Sequence, residues 1–245
     1  MTSPYSTISF PGLGLSMNPP QGFSIGPLYL NIYGILIAAG LMLAVVYACR
    51  RCTQFGLKED DILDGVLWVT PLAIVCARLY YVAFSWDYYK HNLSEILNIR
   101  QGGLAIYGGV IAGFITLIIY CKMKQKNVFQ MGDVAFQGVL VGQIMGRWGN
   151  FTNREVFGGY SDGLFAMRLP ESAVRNRDIT EDIRVHMAEG TNYIQVHPTF
   201  LYESVYNLIL LILILVFQNR KKFDGEVILW YFGGYGIGRF VIEGI

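Results

Sequence analysis

Long apolar runs, recurring from residue 28 to the end of the chain, decide what this sequence can fold into. A membrane-crossing helix needs about 20 mostly apolar residues. The runs Leu28 to Cys49, Ile62 to Phe84, Leu104 to Cys121, Phe200 to Phe217 and Val227 to Ile242 meet or approach that length. A weaker sixth run, Val134 to Gly149, is interrupted by Gln137, Gln143 and Arg147. Composition agrees: only 15% of residues are charged, against about 25% in soluble domains, and mean hydropathy is +0.39. The expectation is an all-α, polytopic transmembrane helical bundle of six spans.

Lys and Arg collect in cytoplasmic loops. Arg50, Arg51 and Lys58 follow the first span, Lys122, Lys124 and Lys126 the third, and Arg220, Lys221 and Lys222 the fifth. Those loops are therefore expected inside, which puts the N-terminus, Ser85 to Gly103 and the long segment 151–197 outside. The long segment balances its arginines with Glu155, Asp162, Glu171, Asp178, Glu181, Asp182 and Glu189, and reads as a small polar extracellular cap inserted into a single membrane domain spanning 1–245. No basic n-region precedes the first run, since Arg50 is the first charged residue, so a cleavable signal is not expected. The net charge of +1 offers nucleic acid no basic footprint. Cys49, Cys52, Cys76 and Cys121 lack the second pair that a zinc site requires and read as structural thiols.

An ionisable side chain at the centre of a membrane helix costs roughly 2.5 to 3.5 kcal/mol on insertion scales, so each one is a functional candidate. Here they share a depth. In the topology above, Arg78, Arg147, Glu203, Arg239 and Glu243 all fall at outer helix ends, with Tyr33 and Tyr107 at the outer starts of the first and third spans. Three arginines against two glutamates make a cationic pocket suited to phosphate or carboxylate oxygens, because an arginine fork donates two parallel hydrogen bonds. Tyr235, Arg239 and Glu243 are four residues apart in succession and share one helix face. Arg147, Asn150, Asn153 and Glu155 crowd a membrane exit among glycines, an arrangement that a capped helix end would also produce. The glycines of Gly102 to Gly109 suit close helix packing better than a phosphate cradle, and Gly233, Gly234, Gly236 and Gly238 would allow tight helix contact.

These residues resemble the prolipoprotein diacylglyceryl transferase family along most of the chain. GRWGNFTNREVFG at Gly146 to Gly158 is similar to the family signature Gly-Arg-x-Gly-Asn-Phe-x-Asn-x-Glu. Further matches are Ile32-Tyr33-Gly34, Arg78-Leu79-Tyr80-Tyr81, GGLAIYGGVIAG from Gly102, HPTFLYE from His197 and YGIGRFVIEG from Tyr235. The resemblance implies a multi-pass enzyme of the bacterial plasma membrane, acting on phosphatidylglycerol and on the lipobox cysteine of prolipoproteins among membrane lipids, with no metal or organic cofactor. It implies head-group contacts by Arg147 and Arg239, a supporting contact by Arg78, proton handling by Tyr235, and orienting roles for Tyr33, Asn150, Asn153, Glu155, Glu203 and Glu243.

The chain departs from the family pattern at four places. Tyr107 stands where many members carry a catalytic histidine; Arg154 replaces a usual glycine; Phe200 replaces a glutamine; and the family pattern runs on past Ile245 into a seventh helix. The alternative from another class is a transporter or an anionic-lipid-binding protein that performs no chemistry. No inverted repeat, Gly-x-Ser-x-Gly elbow or His-Glu-x-x-His helix supports other readings.

Overall fold

The computed structural model describes residues 7–99, 102–187 and 191–245. Arg100 and Gln101 of the predicted outer loop lie outside them, as does Glu189 of the polar segment. In chain order the elements are strands β1 (Ile8–Phe10), β2 (Leu15–Met17), β3 (Gly22–Ile25) and β4 (Leu28–Asn31), then helices α1 (Ile32–Arg51), α2 (Glu59–Phe84), α3 (Trp86–Tyr89), α4 (Ile106–Met123) and α5 (Val128–Asn153). Strand β5 (Met167–Pro170), helix α6 (Glu181–Val185), strand β6 (Tyr193–Val196) and helices α7 (Thr199–Phe217) and α8 (Glu226–Glu243) complete the described fold. The protein is mostly helical, with short strands that the apolar runs did not announce.

Four helical stretches are long and apolar enough to cross a membrane: Ile32–Phe55, Glu59–Phe84, Ile106–Met123 and Thr199–Arg220. The fourth and sixth expected spans, α5 and α8, also form, at 26 and 18 residues. They carry polar side chains, among them Gln137, Gln143 and Arg147 in α5 and Glu226, Arg239 and Glu243 in α8. At the expected start of the first span, residues 28–31 instead form β4, which pairs with β3 from Gly22↔Asn31 to Ile25↔Leu28. Helix α1 begins only after Asn31, whose Oδ1 accepts the Tyr33 N–H at 2.9 Å, a side-chain cap on an orphan helix donor.

The chain divides into two compact units, one of residues 1–44 with 136–245 and one of residues 45–135. In the first, β2, β1, β5 and β6 form an antiparallel sheet in that order. Ser9 pairs with Arg168, and Met167 through Pro170 pair with Val196 through Tyr193. The sheet and α6 enclose a core of Ile8, Phe10, Leu169, Ile183, Ile194 and Val196, closed by Phe151 and Phe200 from the ends of two long helices. Phe200 stacks on Phe151 with ring centroids 4.5 Å apart and meets Trp148 edge-on, which explains an aromatic at that position. Helices α7 and α8 touch where glycines remove the side chain: Gly238 lies under the Tyr206 ring, Gly234 under Leu210, and Tyr206 Oη donates to the Gly234 carbonyl at 2.6 Å. Gly233 and Gly236 face open space, so only one of the two small-residue faces is used for packing.

The second unit is organised by α2 against α4. Acidic Glu59, Asp60 and Asp61 occupy the first turn of α2, where the helix dipole favours negative charge. Asp61 also accepts the Lys58 N–H and the Lys126 ammonium. A Cβ at Gly108 would stand 2.6 Å from the Cys76 carbonyl oxygen, so backbone meets backbone and the glycine-rich segment is used for helix packing. All four cysteines are free thiols.

Candidate active site

Glu203 lies one turn into α7 and is 3% exposed. A carboxylate buried so deeply needs partners, and two arginines supply them. Arg147 of α5 meets Glu203 Oε2 through its Nε, and Arg239 of α8 meets Oε1 through Nη1. The second Nη of Arg239 bonds Glu243 one turn along α8. Five sequence candidates on three helices therefore converge: four in one ion cluster, with Tyr235 a turn away on the same face of α8. Within this unit two arginines balance two glutamates. Arg239 has both Nη groups engaged. Arg147 touches Glu203 only through Nε, and its two terminal nitrogens donate no hydrogen bond among the described residues. That leaves one guanidinium fork open beside a buried negative charge that fixes its direction.

A second polar layer supports the cluster one turn along each helix. Gln143, four residues before Arg147, donates to the Tyr231 hydroxyl at 2.9 Å, and Tyr231 stacks on Tyr235 at 5.5 Å with rings 4° from parallel. Asn207, four residues after Glu203, is 1% exposed and its Nδ2 makes no hydrogen bond. Trp148 donates to Ser204 at 3.1 Å, tying α5 to α7 beside the ion cluster. The sequence reading noted Gln143 only as an interruption of an apolar run and gave Asn207, Tyr231 and Ser204 no role. Polar side chains spaced i±4 from a charged one within an apolar run were the available signal.

The signature loop leaves α5 under backbone strain. Arg154 and Val156 adopt φ of +57° and +56°, a left-handed conformation that costs an ordinary L-residue about 1 to 2 kcal/mol. This explains why glycine is usual at the position of Arg154. The arginine is held there by hydrogen bonds to the Thr152 carbonyl at 2.9 Å, Asn18 Oδ1 at 2.9 Å and the Pro19 carbonyl at 3.2 Å. Val156 is held by Thr199, whose hydroxyl donates to its carbonyl at 2.7 Å. Between them Glu155 gathers Asn150 at 3.3 Å, Asn153 at 3.2 Å and Arg175 at 2.8 Å. Glycine at 149 is a steric necessity, because a Cβ there would come within 2.5 Å of the Tyr33 ring. His197 follows β6, and burial pushes its imidazole below the ordinary histidine value; its Nδ1 lies 3.4 Å from the Tyr202 hydroxyl.

The second unit holds Arg78 and Tyr107. Arg78 is 6% exposed, and no carboxylate among the described residues pairs with it. Its Nε donates to the Ile96 carbonyl at 2.8 Å, Nη1 to the carbonyls of Gly102 at 2.9 Å and Gly103 at 2.8 Å, and Nη2 to the Glu95 carbonyl at 2.7 Å. The rings of Tyr81 and Tyr89 flank its guanidinium at 5.8 and 5.2 Å. Arg78 thus binds both ends of one loop. Gly103, at φ +76°, has no room for a side chain against Arg78 and Tyr81. The loop leads into α4, whose first turn carries Tyr107, 70% exposed.

Residues 20–245 match the family model described as prolipoprotein diacylglyceryl transferase. Among curated relatives, a protein of Lysinibacillus sphaericus (strain C3-41) is 42% identical over 228 residues, covering 92% of this chain and 80% of its own length. One from Finegoldia magna is 43% identical, covering 91% and 82%, and one from Clostridioides difficile (strain 630) is 42% identical, covering 87% and 77%. All three bear the name phosphatidylglycerol–prolipoprotein diacylglyceryl transferase.

Proposed function

The chain belongs to the prolipoprotein diacylglyceryl transferase family, and from that premise we infer that it catalyses the first step of bacterial lipoprotein maturation. It moves the diacylglyceryl group of phosphatidylglycerol to the thiol of a prolipoprotein cysteine within a lipobox. The cysteine sulfur attacks the glycerol carbon that bears the phosphate, a C–S bond replaces that C–O bond, and glycerol phosphate departs with the negative charge. Chemistry at that carbon is accelerated by cations held where the leaving oxygens gather charge. The observation that carries the assignment is the open fork of Arg147, aimed by buried Glu203 and backed by Arg239.

Other roles follow from motif position and surroundings. Arg147 and Arg239 hold the phosphate, and Glu203 and Glu243 orient them. Tyr235 serves proton handling at the thiol, whose thiolate is the nucleophile, and Tyr107 occupies the motif position at which many family members carry a catalytic histidine. Tyr33, Asn150, Asn153 and Glu155 position substrate at the end of α5, and Arg78 supports the loop ahead of Tyr107. In the membrane, α5 and α8 join the four apolar helices as the fourth and sixth spans of a single domain in the plasma membrane. The N-terminus and the 151–197 segment lie outside, and the basic loops after α1, α4 and α7 lie inside.

The test incubates purified protein with phosphatidylglycerol and a lipobox peptide and follows peptide mass. A diacylglyceryl adduct that requires the peptide cysteine and vanishes in Arg147→Ala supports the assignment. Lipid binding without any adduct would move the protein to the binding or transport class.

A further inference from the structure

Apart from the ion cluster, a polar hollow of about 460 Å³ lies beyond the end of α5. Its walls come from the β3–β4 hairpin (Gln21, Asn31), the signature loop (Asn153, Glu155) and the turn that follows β5 (Ser172, Arg175). Its charged groups have partners within the wall: Glu155 pairs with one Nη of Arg175 at 2.8 Å, and Arg154 donates to Thr152, Asn18 and Pro19. Gln21, Asn31, Asn153 and Ser172 add neutral amides and a hydroxyl to the lining. Such a polar lining does not suit an acyl chain. It does suit the alternating donors and acceptors of an extended polypeptide.

We propose that this cavity receives the acceptor polypeptide just after its cysteine; the inference rests on the transferase reading above. Distance supports the assignment. Asn153 lies six residues beyond Arg147 on α5, about 9 Å along the axis at 1.5 Å per residue. An extended chain covers that in about three residues at roughly 3.3 Å each. With the thiol at the level of Arg147, the two to four residues after it reach the hollow, while the apolar segment before it stays with the membrane helices. The β3–β4 hairpin joins α1 without a break, so it can hold one wall of the cavity at a fixed height above the helices.

The experiment measures binding of fluorescent lipobox peptides with serine in place of the acceptor cysteine, ending at that position or extended by one to six residues, to the full chain in phosphatidylglycerol nanodiscs. The expected Kd falls at least tenfold as the extension reaches three or four residues and then levels off. Ser172→Trp, which fills the cavity, brings the ratio of short- to long-peptide Kd close to one. If that variant fails to fold, Gln21→Ala combined with Ser172→Ala reduces the same ratio. A Kd independent of extension in the wild-type protein, or a length dependence that survives both variants, overturns the proposal. The cysteine forms of the same peptides report turnover separately. Length-dependent binding with no adduct would sink the transferase reading and leave the peptide site standing.

Discussion

Two regions of this molecule hold arginine by opposite means, one through a buried carboxylate and one through main-chain carbonyls. In the ion cluster, Arg147 and Arg239 share the Glu203 carboxylate and Arg239 takes Glu243 as well. In the second unit, Arg78 meets four main-chain carbonyls and two tyrosine rings and, among the described residues, no carboxylate. A carboxylate fixes an arginine through one edge and can leave the other open, as it does at Arg147. Carbonyls on both ends of a loop use almost the whole fork and turn the side chain into a fastener. The same residue type thus keeps an open edge in the half-buried cluster and is almost fully engaged where it is buried in the loop.

The strongest way to break this contrast is to remove the shared carboxylate. Glu203→Gln leaves two arginines facing a neutral amide, and breaking a buried pair from one side costs about 3 to 5 kcal/mol. The expected outcome is a large loss of stability in chemical denaturation together with lost transfer. Wild-type stability in this variant would mean that the arginines are held by something other than Glu203.

Arg78→Lys probes the other half. An ammonium has three donors but no planar fork, so it cannot reach carbonyls at both ends of the loop. Turnover is expected to fall about tenfold with KM for phosphatidylglycerol little changed, and amide exchange across 96–105 should quicken. A rise in KM alone would place Arg78 on the lipid instead.

The smallest effect is expected at Val156, half-exposed and at positive φ. Val156→Gly relieves the left-handed strain of a β-branched residue but frees the unfolded chain. The net gain should be below about 1 kcal/mol, read as a rise of a few degrees in Tm. A clear loss would show that the valine side chain contributes more than its backbone costs.

The helices were legible because apolar length is a local property, and the ion cluster because charges at matching depth in separate runs are conspicuous. Spacing alone paired Arg239 with Glu243. The sequence reading did not foresee the strands. Residues 8–10 pair with residues some 160 positions away, and a three-residue strand has too little periodicity to stand out. The same blindness explains Arg78: main-chain carbonyls are anonymous in a sequence, so a side chain that serves them looks like one waiting for a ligand. Gln143, Asn207 and Tyr231 lay in plain view four or eight residues from the charged positions. Gln143 was read only as an interruption and the other two drew no notice, because single neutral amides and tyrosines in apolar runs carry no obvious charge partner.

The pairing of Ser9 with Arg168 also sets an order of assembly. At roughly 5 to 20 residues per second of synthesis, the first strands emerge on the order of ten to thirty seconds before their partner exists. Through that interval the β1–β2 hairpin has an unpaired edge, while the helices between it and β5 are still being delivered to the bilayer. Closure of the sheet is therefore a late event, and chaperones or stray strands have their window on the newborn chain before it.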